Sequence, residues 1–205
     1  MRTLDPLVDE SRERLLARMK REDMITVGYD VMDSPLGPLW IAVGPRGVVA
    51  IHYGAKPDER ELARITRAYG PALLPDRKRT DRVQIELDEY FTQRRRSFDV
   101  PVDLSPMTEF QRRVLAATAR VPFGELTTYR QVARHAGNEQ ASRAAGAAVG
   151  SNPVPIVVPC HRVVATDGSL GGYSGGLAAK RRLLALELGE RNVPAGGWPP
   201  TRLAR

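Results

Sequence analysis

The chain has one cysteine, Cys160, which stands between a proline and a histidine in the tetrapeptide PCHR. Only the thiolate is a strong nucleophile, and a free thiol of ordinary pKa is about 3% ionised at pH 7. Because His161 and Arg162 place positive groups beside it, the segment predicts nucleophilic chemistry at the sulfur. The alternative is that Cys160 is a small buried hydrophobe, which is the usual state of a lone cysteine.

An acid is needed to orient the imidazole of His161, and Glu187 near the end of the last predicted helix is the candidate. In an extended segment neighbouring side chains point to opposite faces, so contact between Cys160 and His161 requires a turn or a bridging water. A single cysteine excludes an internal disulfide, and the histidines lack zinc-ligand spacing, so we expect no metal site.

The elements around Cys160 follow from the pattern of its segment. The apolar run IVV before PCHR predicts a buried strand that leads into the cysteine. A glycine-rich loop follows, and a helix is predicted to begin near Leu177. The loop contains Gly168, Gly171, Gly172, Gly175 and Gly176.

Three helices are predicted upstream of the cysteine segment. Thr108 is placed to cap the first, and Thr127 or Thr128 to cap the second, which stops at Gly137. The third is expected from about Glu139 to residues 151–153 and forms a pair with the second. Helix, short glycine turn and helix is the layout of a helix-turn-helix, although most helix hairpins only fill a core.

The second helix of that pair has almost no side-chain bulk around Arg143, because it contains Ala141, Ala144, Gly146 and further small residues. Such a helix can pack tightly inside the protein. Alternatively, it is slim enough for the minor groove of DNA, with Arg143 as its one long side chain. Both interpretations stay open on this pattern alone.

Charge is concentrated in the same part of the chain. The 205 residues carry 31 Lys and Arg against 24 Asp and Glu, a formal net charge of +7. The whole excess lies in residues 110–182, which favours contact with a polyanion there or, equally, a solvated basic face. The basic residues of this segment are Arg112, Arg113, Arg120, Arg130, Arg134, Arg143, Arg162, Lys180, Arg181 and Arg182.

The N-terminal half has a different pattern. Residues 4–22 predict an amphipathic helix, residues 25–53 a small antiparallel sheet, and residues 57–69 and 80–96 two helices separated by a loop. No apolar run is long enough to span a membrane, and the N-terminus lacks the apolar core of a secretory signal. We therefore expect a cytoplasmic protein with no membrane association.

Four ordered motifs, FGELTTYRQVA, RAAGAAVGSNP, PIVVPCHRVV and GGYSGGLAAKRRLLALE, resemble the O6-alkylguanine-DNA alkyltransferases from about Phe110 to Glu187. The resemblance implies an α/β fold, with a small N-terminal α/β domain containing an antiparallel sheet and a mostly helical C-terminal domain with a winged helix-turn-helix. We place these domains at residues 25–102 and 103–190, with a helical extension over 1–24 and a tail over 191–205.

The resemblance also implies a function, which is irreversible, single-turnover transfer of an alkyl group from O6-alkylguanine in duplex DNA to Cys160, after the base is flipped out. His161 would act through water as the base, Glu187 would hold it, and Tyr129 would donate a proton or hydrogen bond to the guanine ring. Asn152 would tie the end of the helix that carries Arg143 to the strand that carries Cys160. No cofactor is implied, and we expect a monomer.

The remaining assignments concern DNA and the pocket. Arg143 would fill the gap left by the flipped nucleotide, and the expected DNA-binding residues are Arg143, Ala144, Tyr129, Thr128, Ala141 and Gly146. The expected pocket residues are Pro155, Val163, Tyr173, Ser174 and Val149. The alternatives are a non-catalytic damage sensor that recruits other repair proteins and, less favoured by these motifs, a Cys-His hydrolase.

Overall fold

The structure is a computed structural model that describes residues 26–189 together with Arg14 and Arg18. Apart from these two arginines, the predicted helical extension over residues 1–24 and the predicted tail over 191–205 lie outside the described residues. Within the described part, no helix combines the length and the apolar character that a membrane crossing requires.

A four-stranded sheet forms the base of the N-terminal half. Strands β1 (Val27–Met32), β2 (Leu39–Gly44) and β3 (Gly47–Tyr53) are antiparallel neighbours, as the alternating runs and their glycine turns predict. Helices α1 (Glu59–Tyr69) and α2 (Arg77–Phe91) follow, and residues of α2 contact β1 and β2.

The segment from residue 71 to 80 was predicted to be a loop, and this prediction is wrong. Residues Leu73–Pro75 form strand β4, which pairs in parallel with β1, so the sheet order is β3-β2-β1-β4 and the sheet is mixed. Helix α2 also begins at Arg77, three residues before the predicted start. A three-residue strand carries too little pattern to be recognised, because its formation depends on the distant partner β1.

The helical C-terminal half begins with α3 (Glu109–Ala119), α4 (Tyr129–His135) and α5 (Ser142–Gly150), the last preceded by a short 3-10 turn over Glu139–Ala141. Thr108 and Thr128 each cap a helix, and in both cases a glutamine three residues later completes a capping box. Gly137 ends the turn after α4 with φ +91°. The helix-turn-helix prediction is thus confirmed, with α5 as the second helix.

The segment before Cys160 is not the predicted buried strand. Val158 N–H donates to the Val154 carbonyl at 2.9 Å, which closes a turn, and Ile156 within it has φ +75°, a conformation that β-branched residues rarely adopt. Cys160–Arg162 then form a 3-10 turn. Short apolar runs are ambiguous between strand and other buried structure, and here the run is buried without being extended.

Two further elements complete the C-terminal half. Strand β6 (Val163–Val164) pairs in parallel with β5 (Thr127–Thr128), and α6 (Gly176–Leu188) carries Glu187 in its last turn. The largest apolar cluster joins the two halves of the chain. It contains Leu39, Ile41, Val48, Ile51, Val83, Leu87, Tyr90 and Val100 from the first half and Val154, Ile156 and Leu183 from the second.

Candidate active site

Cys160 is the first residue of the 3-10 turn and is only 4% exposed. Its side chain belongs to an apolar cluster that includes Val163 of β6 and Ala148 and Val149 of α5, and both Tyr129 and Tyr173 pack against that cluster. The cysteine therefore lies beneath α5, the helix that carries Arg143. This is where a nucleophile must lie to react with a ligand bound at that helix.

Burial dominates the electrostatic environment of the thiol. It raises the pKa of Cys160, whereas the Asn152 side chain, the charge of Lys180 and the Tyr173 hydroxyl lower it without reversing the direction. Desolvation thus disfavours the charged form more than these groups favour it. A base is consequently needed to remove the thiol proton.

His161 supplies a candidate for that base. Its Nε2 lies 2.8 Å from Oε1 of Glu187, and the side chain is fully buried. Because the carboxylate can only accept, Nε2 carries the proton and donates it. Burial lowers the pKa of His161 below 6.5 despite the opposing effect of Glu187, so the ring is neutral at pH 7. Nδ1 then holds a free electron pair, and it has no hydrogen-bond partner within the described part of the chain.

The Glu187 carboxylate is held from several directions. Arg162 Nη2 lies 2.9 Å from Oε1 and Arg162 Nε 2.9 Å from Oε2, the Tyr90 hydroxyl donates to Oε1 at 2.6 Å, and the Gly124 N–H donates to Oε2 at 3.2 Å. Burial by itself raises the pKa of this carboxyl, but the interactions with His161 and Arg162 outweigh it and lower the pKa to about 2. Glu187 is therefore ionised across the physiological range.

Asn152 connects the end of α5 with the cysteine segment. Its Nδ2 donates to the Val158 carbonyl at 2.8 Å, and its Oδ1 accepts from the Val154 N–H at 3.1 Å. Both bonds hold the turn that precedes Cys160, and Asn152 is buried. The Asn152 amide thus lies where it can join the end of α5 to the segment that carries Cys160, which is the role that the resemblance implies.

Tyr129 is the first residue of α4 and is half-buried beside the cysteine cluster. Its ring faces Gly146 of α5, where an added Cβ would lie 3.7 Å from the ring. Its hydroxyl faces Gly171, where an added Cβ would lie 2.8 Å from the oxygen and where φ is +64°. The glycine at position 171 thus lets the loop backbone approach the tyrosine hydroxyl.

The predicted pocket residues differ in exposure. Val149 and Val163 are buried beside Cys160, and Pro155 is buried in the turn before it, where it bridges to Val158. Tyr173 is half-buried against the cysteine cluster, whereas Ser174 is exposed. Ser174 lines an open cavity of about 510 Å³ together with Asn152 and Tyr53.

The predicted DNA-binding residues also differ in exposure. Arg143 and Ala144 are exposed on α5, and Ala141 and Gly146 are half-buried on the same short segment. Thr128 is 5% exposed, and its hydroxyl accepts from the Gln131 N–H at the start of α4. Its assignment to a DNA contact stays a prediction.

Two of the ten basic residues predicted to form a cationic surface are buried, so that prediction needs correction. Arg162 binds Glu187, and Lys180 donates through Nζ to the carbonyls of Val163 at 2.6 Å and Leu170 at 2.5 Å. Burial lowers the pKa of Lys180 to about 8. The other eight lie wholly or partly at the surface.

Sequence reasoning missed three residues at the site, which are Lys180, Tyr53 and Tyr90, and it missed that Arg162 holds Glu187. Tyr53 of β3 lies 2.6 Å from the Tyr173 hydroxyl, and Tyr90 of α2 binds Glu187 as above. No signal in the sequence links these tyrosines to residues about a hundred positions away. Among the described residues, no group of three or more His, Cys, Asp or Glu could hold a metal ion.

Comparison with known families adds to this geometry. The model for "6-O-methylguanine DNA methyltransferase, DNA binding domain" matches residues 109–189, and that for "6-O-methylguanine DNA methyltransferase, ribonuclease-like domain" matches residues 27–104. Together they span most of the chain.

Individual proteins are similar over the same range. The methylated-DNA--protein-cysteine methyltransferase of Mycobacterium tuberculosis (strain H37Rv) is 38% identical over 164 residues, which cover 78% of this chain and 92% of that protein. The inducible enzyme of that name from Bacillus subtilis is 39% identical over 150 residues, covering 72% and 83%.

Solved structures are similar to this chain over the same range. The crystal structure of M. tuberculosis O6-methylguanine methyltransferase has a TM-score of 0.69 at 37% identity, covering 82% of this chain and 96% of that one. The structure of M. tuberculosis OGT in complex with DNA has a TM-score of 0.68 at 36% identity, covering 78% and 92%.

Proposed function

Because the chain belongs to the 6-O-methylguanine DNA methyltransferase family and acts in DNA repair by alkyl transfer to a protein cysteine, we propose that the acceptor is Cys160 and the donor is O6-alkylguanine, mainly O6-methylguanine, in duplex DNA. One observation carries this assignment. The sole cysteine is followed directly by a neutral histidine whose Nε2 is held by Glu187, so that Nδ1 is free to accept a proton.

The reaction begins with removal of the thiol proton. Since burial raises the pKa of Cys160, the thiolate forms only as its proton leaves, and the proton passes through a water molecule to Nδ1 of His161. The imidazolium that results is stabilised by the ionised Glu187, which Arg162 and Tyr90 hold in place.

Transfer itself exchanges one bond for another. The sulfur attacks the alkyl carbon in line, the S–C bond forms as the C–O6 bond breaks, and the electron pair of that bond stays on the departing guanine. The Tyr129 hydroxyl donates a proton or hydrogen bond to the guanine ring, so negative charge does not build up there. The position of Tyr129 at the edge of the cysteine cluster supports this role.

The base must leave the DNA duplex to reach Cys160, which is only 4% exposed. We propose that α5 enters the minor groove, where its small residues Ala144 and Gly146, with Ala141 of the preceding 3-10 turn, allow close approach, and that Arg143 occupies the space of the flipped nucleotide. The exposed basic residues of the C-terminal half contact phosphates without reading sequence, which suits damage that arises at any guanine.

The flipped base enters between the glycine-rich loop that precedes α6 and the apolar cluster that contains Cys160. Tyr173 covers or stacks on the base, Ser174 donates a hydrogen bond near its exocyclic oxygen, and Val149, Val163 and Pro155 shape the apolar wall. Asn152 keeps the end of α5 in register with Cys160, since its amide bonds both sides of the turn that leads to the cysteine. We keep residues 25–102 and 103–190 as the proposed domains.

The product has a consequence for turnover. A thioether has no ready leaving path, so each molecule reacts once and is consumed. The damaged base supplies the alkyl group, so no cofactor takes part. We propose that the protein acts as a monomer and in the cytoplasm.

Intact-protein mass spectrometry tests the proposal. After incubation with an O6-methylguanine duplex, the protein is expected to gain the mass of one methylene group, because a methyl group replaces a proton, and peptide mapping should place the gain on Cys160. Cys160→Ser should gain nothing. A wild-type protein that binds the damaged duplex without gaining mass rejects transfer and supports the non-catalytic sensor.

A further inference from the structure

Tyr53, the last residue of β3 in the N-terminal half, contacts the loop that precedes α6 in two ways. Its hydroxyl lies 2.6 Å from the hydroxyl of Tyr173, and the two rings meet edge to face with centroids 5.8 Å apart. Its ring also lies against Gly175, where an added Cβ would be 2.6 Å from Cε2 of Tyr53. Position 175 therefore excludes any side chain while Tyr53 is in this place.

Tyr173 in turn lies at the junction of two apolar clusters. It packs against the cluster that contains Cys160 and against the large cluster shared by the two halves of the chain, to which Tyr53 also belongs. A half-buried aromatic ring at such a junction needs a fixed orientation to present one edge to a ligand. Packing alone does not determine the direction of its hydroxyl hydrogen.

Either tyrosine hydroxyl can donate to the other. The interaction of the Tyr173 hydroxyl with Cys160 lowers the pKa of the thiol, as a donor to a thiolate would. A tyrosine hydroxyl has one proton, so a Tyr173 that donates to the thiolate can only accept from Tyr53. Donation from Tyr53 to Tyr173 is therefore the arrangement that supports the thiolate, and successive bonds in such a chain polarise one another.

We propose that Tyr53 is a positioning residue for alkyl transfer, which acts by holding Tyr173 against the cluster that contains Cys160 and by keeping the loop backbone at Gly175 in place. This inference rests on the proposed function. It gives the N-terminal half a second part in the reaction, beside that of Tyr90, which binds Glu187.

The test is single-turnover transfer by Tyr53→Phe, which removes one oxygen and keeps the ring against Gly175. At saturating methylated duplex the transfer rate should fall about three- to tenfold, the range expected for one lost neutral hydrogen bond. The dissociation constant for unmethylated duplex should not change, and the melting temperature should fall by only about 2–4 °C, as the loss of about 1 kcal/mol implies for a chain of this size. Tyr29→Phe is the matched control, because Tyr29 lies in β1 of the same sheet and its ring packs on Trp40, away from the loop.

A double variant separates positioning from a general structural effect. If Tyr53 acts through Tyr173, Tyr53→Phe should slow the wild-type protein but should not slow Tyr173→Phe any further. Equal rates for Tyr53→Phe and the wild type, or slowing that multiplies in the double variant, overturn the inference while leaving the proposed function intact. A wild-type protein that takes up no alkyl group overturns both.

Discussion

His161 and Arg162, adjacent in the sequence, bind the same carboxylate oxygen: His161 Nε2 and Arg162 Nη2 lie 2.8 Å and 2.9 Å from Oε1 of Glu187. The 3-10 turn that begins at Cys160 makes this possible, since in a strand the two side chains would point to opposite faces. One carboxylate thus balances a buried cation and fixes the tautomer of a neutral imidazole.

Replacing Glu187 with glutamine should strongly destabilise the protein. The change leaves the guanidinium of Arg162, which is 6% exposed, without its counter-ion, and a buried charge that loses its partner costs about 3–5 kcal/mol. Urea unfolding measures this change. The matched control is Asp88→Asn, which breaks the exposed pair with Arg94 and should cost less than about 1 kcal/mol. Equal costs for the two variants would contradict the arrangement.

Stability should fall as the solution is acidified. The folded pKa of Glu187 is about 2 and its unfolded value is 4.5, so the unfolded state binds the proton first and the carboxylate contributes stability above pH 4.5 that is lost toward pH 2. The shift corresponds to about 3 kcal/mol. His161, whose pKa burial lowers below 6.5, adds a loss in the same direction that begins near that pH.

Urea unfolding at a series of pH values from about 6 to about 2 measures this dependence. Glu187→Gln cannot titrate at that position, so its stability should depend less steeply on pH below 4.5 than that of the wild type. Parallel curves for the two proteins would show that Glu187 is not the group responsible.

Removing the charge of Lys180 should make the thiol less reactive. While Lys180 is protonated, below its pKa of about 8, the ammonium group favours the thiolate, so Lys180→Met should react more slowly than the wild type with iodoacetamide at pH 7. The difference should shrink above about pH 8, where Lys180 of the wild type also loses its charge, and a purely structural loss would not follow that pH dependence. Lys56→Met, at an exposed lysine, is the control and should react at the wild-type rate.

The same variant should also lose stability, since the carbonyls of Val163 and Leu170 lose the Lys180 donor, at about 1–3 kcal/mol for each buried group left unpaired. A rate at pH 7 equal to or above that of the wild type would exclude Lys180 from the electrostatics of the thiol, whatever the stability of the variant.

Arg143→Ala should affect transfer from duplex DNA and not transfer from the free base. Flipping costs a few kcal/mol, part of which the inserted guanidinium offsets, so the rate with duplex should fall about tenfold or more. The rate with free O6-methylguanine should stay the same, because no stack has to be opened. Arg67→Ala, at an exposed arginine of α1, is the control. Equal losses on both substrates would remove the role assigned to Arg143.

The features predicted well are those that local chemistry determines. The caps at Thr108 and Thr128 each need only a glutamine three residues later, and Gly137 needs only its own freedom at positive φ. The helix-turn-helix could be predicted for this reason, whereas the roles that the resemblance assigns to the residues around Cys160 stay predictions.

The features that sequence reasoning missed depend on distant partners. Strand β4 exists through its pairing with β1, and the turn at Ile156 is stable at φ +75° in a fully buried environment. Arg162 and Lys180 have the composition of surface residues, and only their contacts with Glu187 and with buried carbonyls place them inside. Nothing local marks Tyr53 or Tyr90.

The large apolar cluster shared by the two halves limits how this chemistry can be engineered. Ile156 and Leu183 pack there with Leu39 and Leu87 of the other half, and Tyr90 from that half donates to Glu187. A truncated self-labelling tag made only from the cysteine-bearing half would expose those apolar side chains to water and lose the tyrosine donor. A minimal tag derived from this chain must therefore retain both halves.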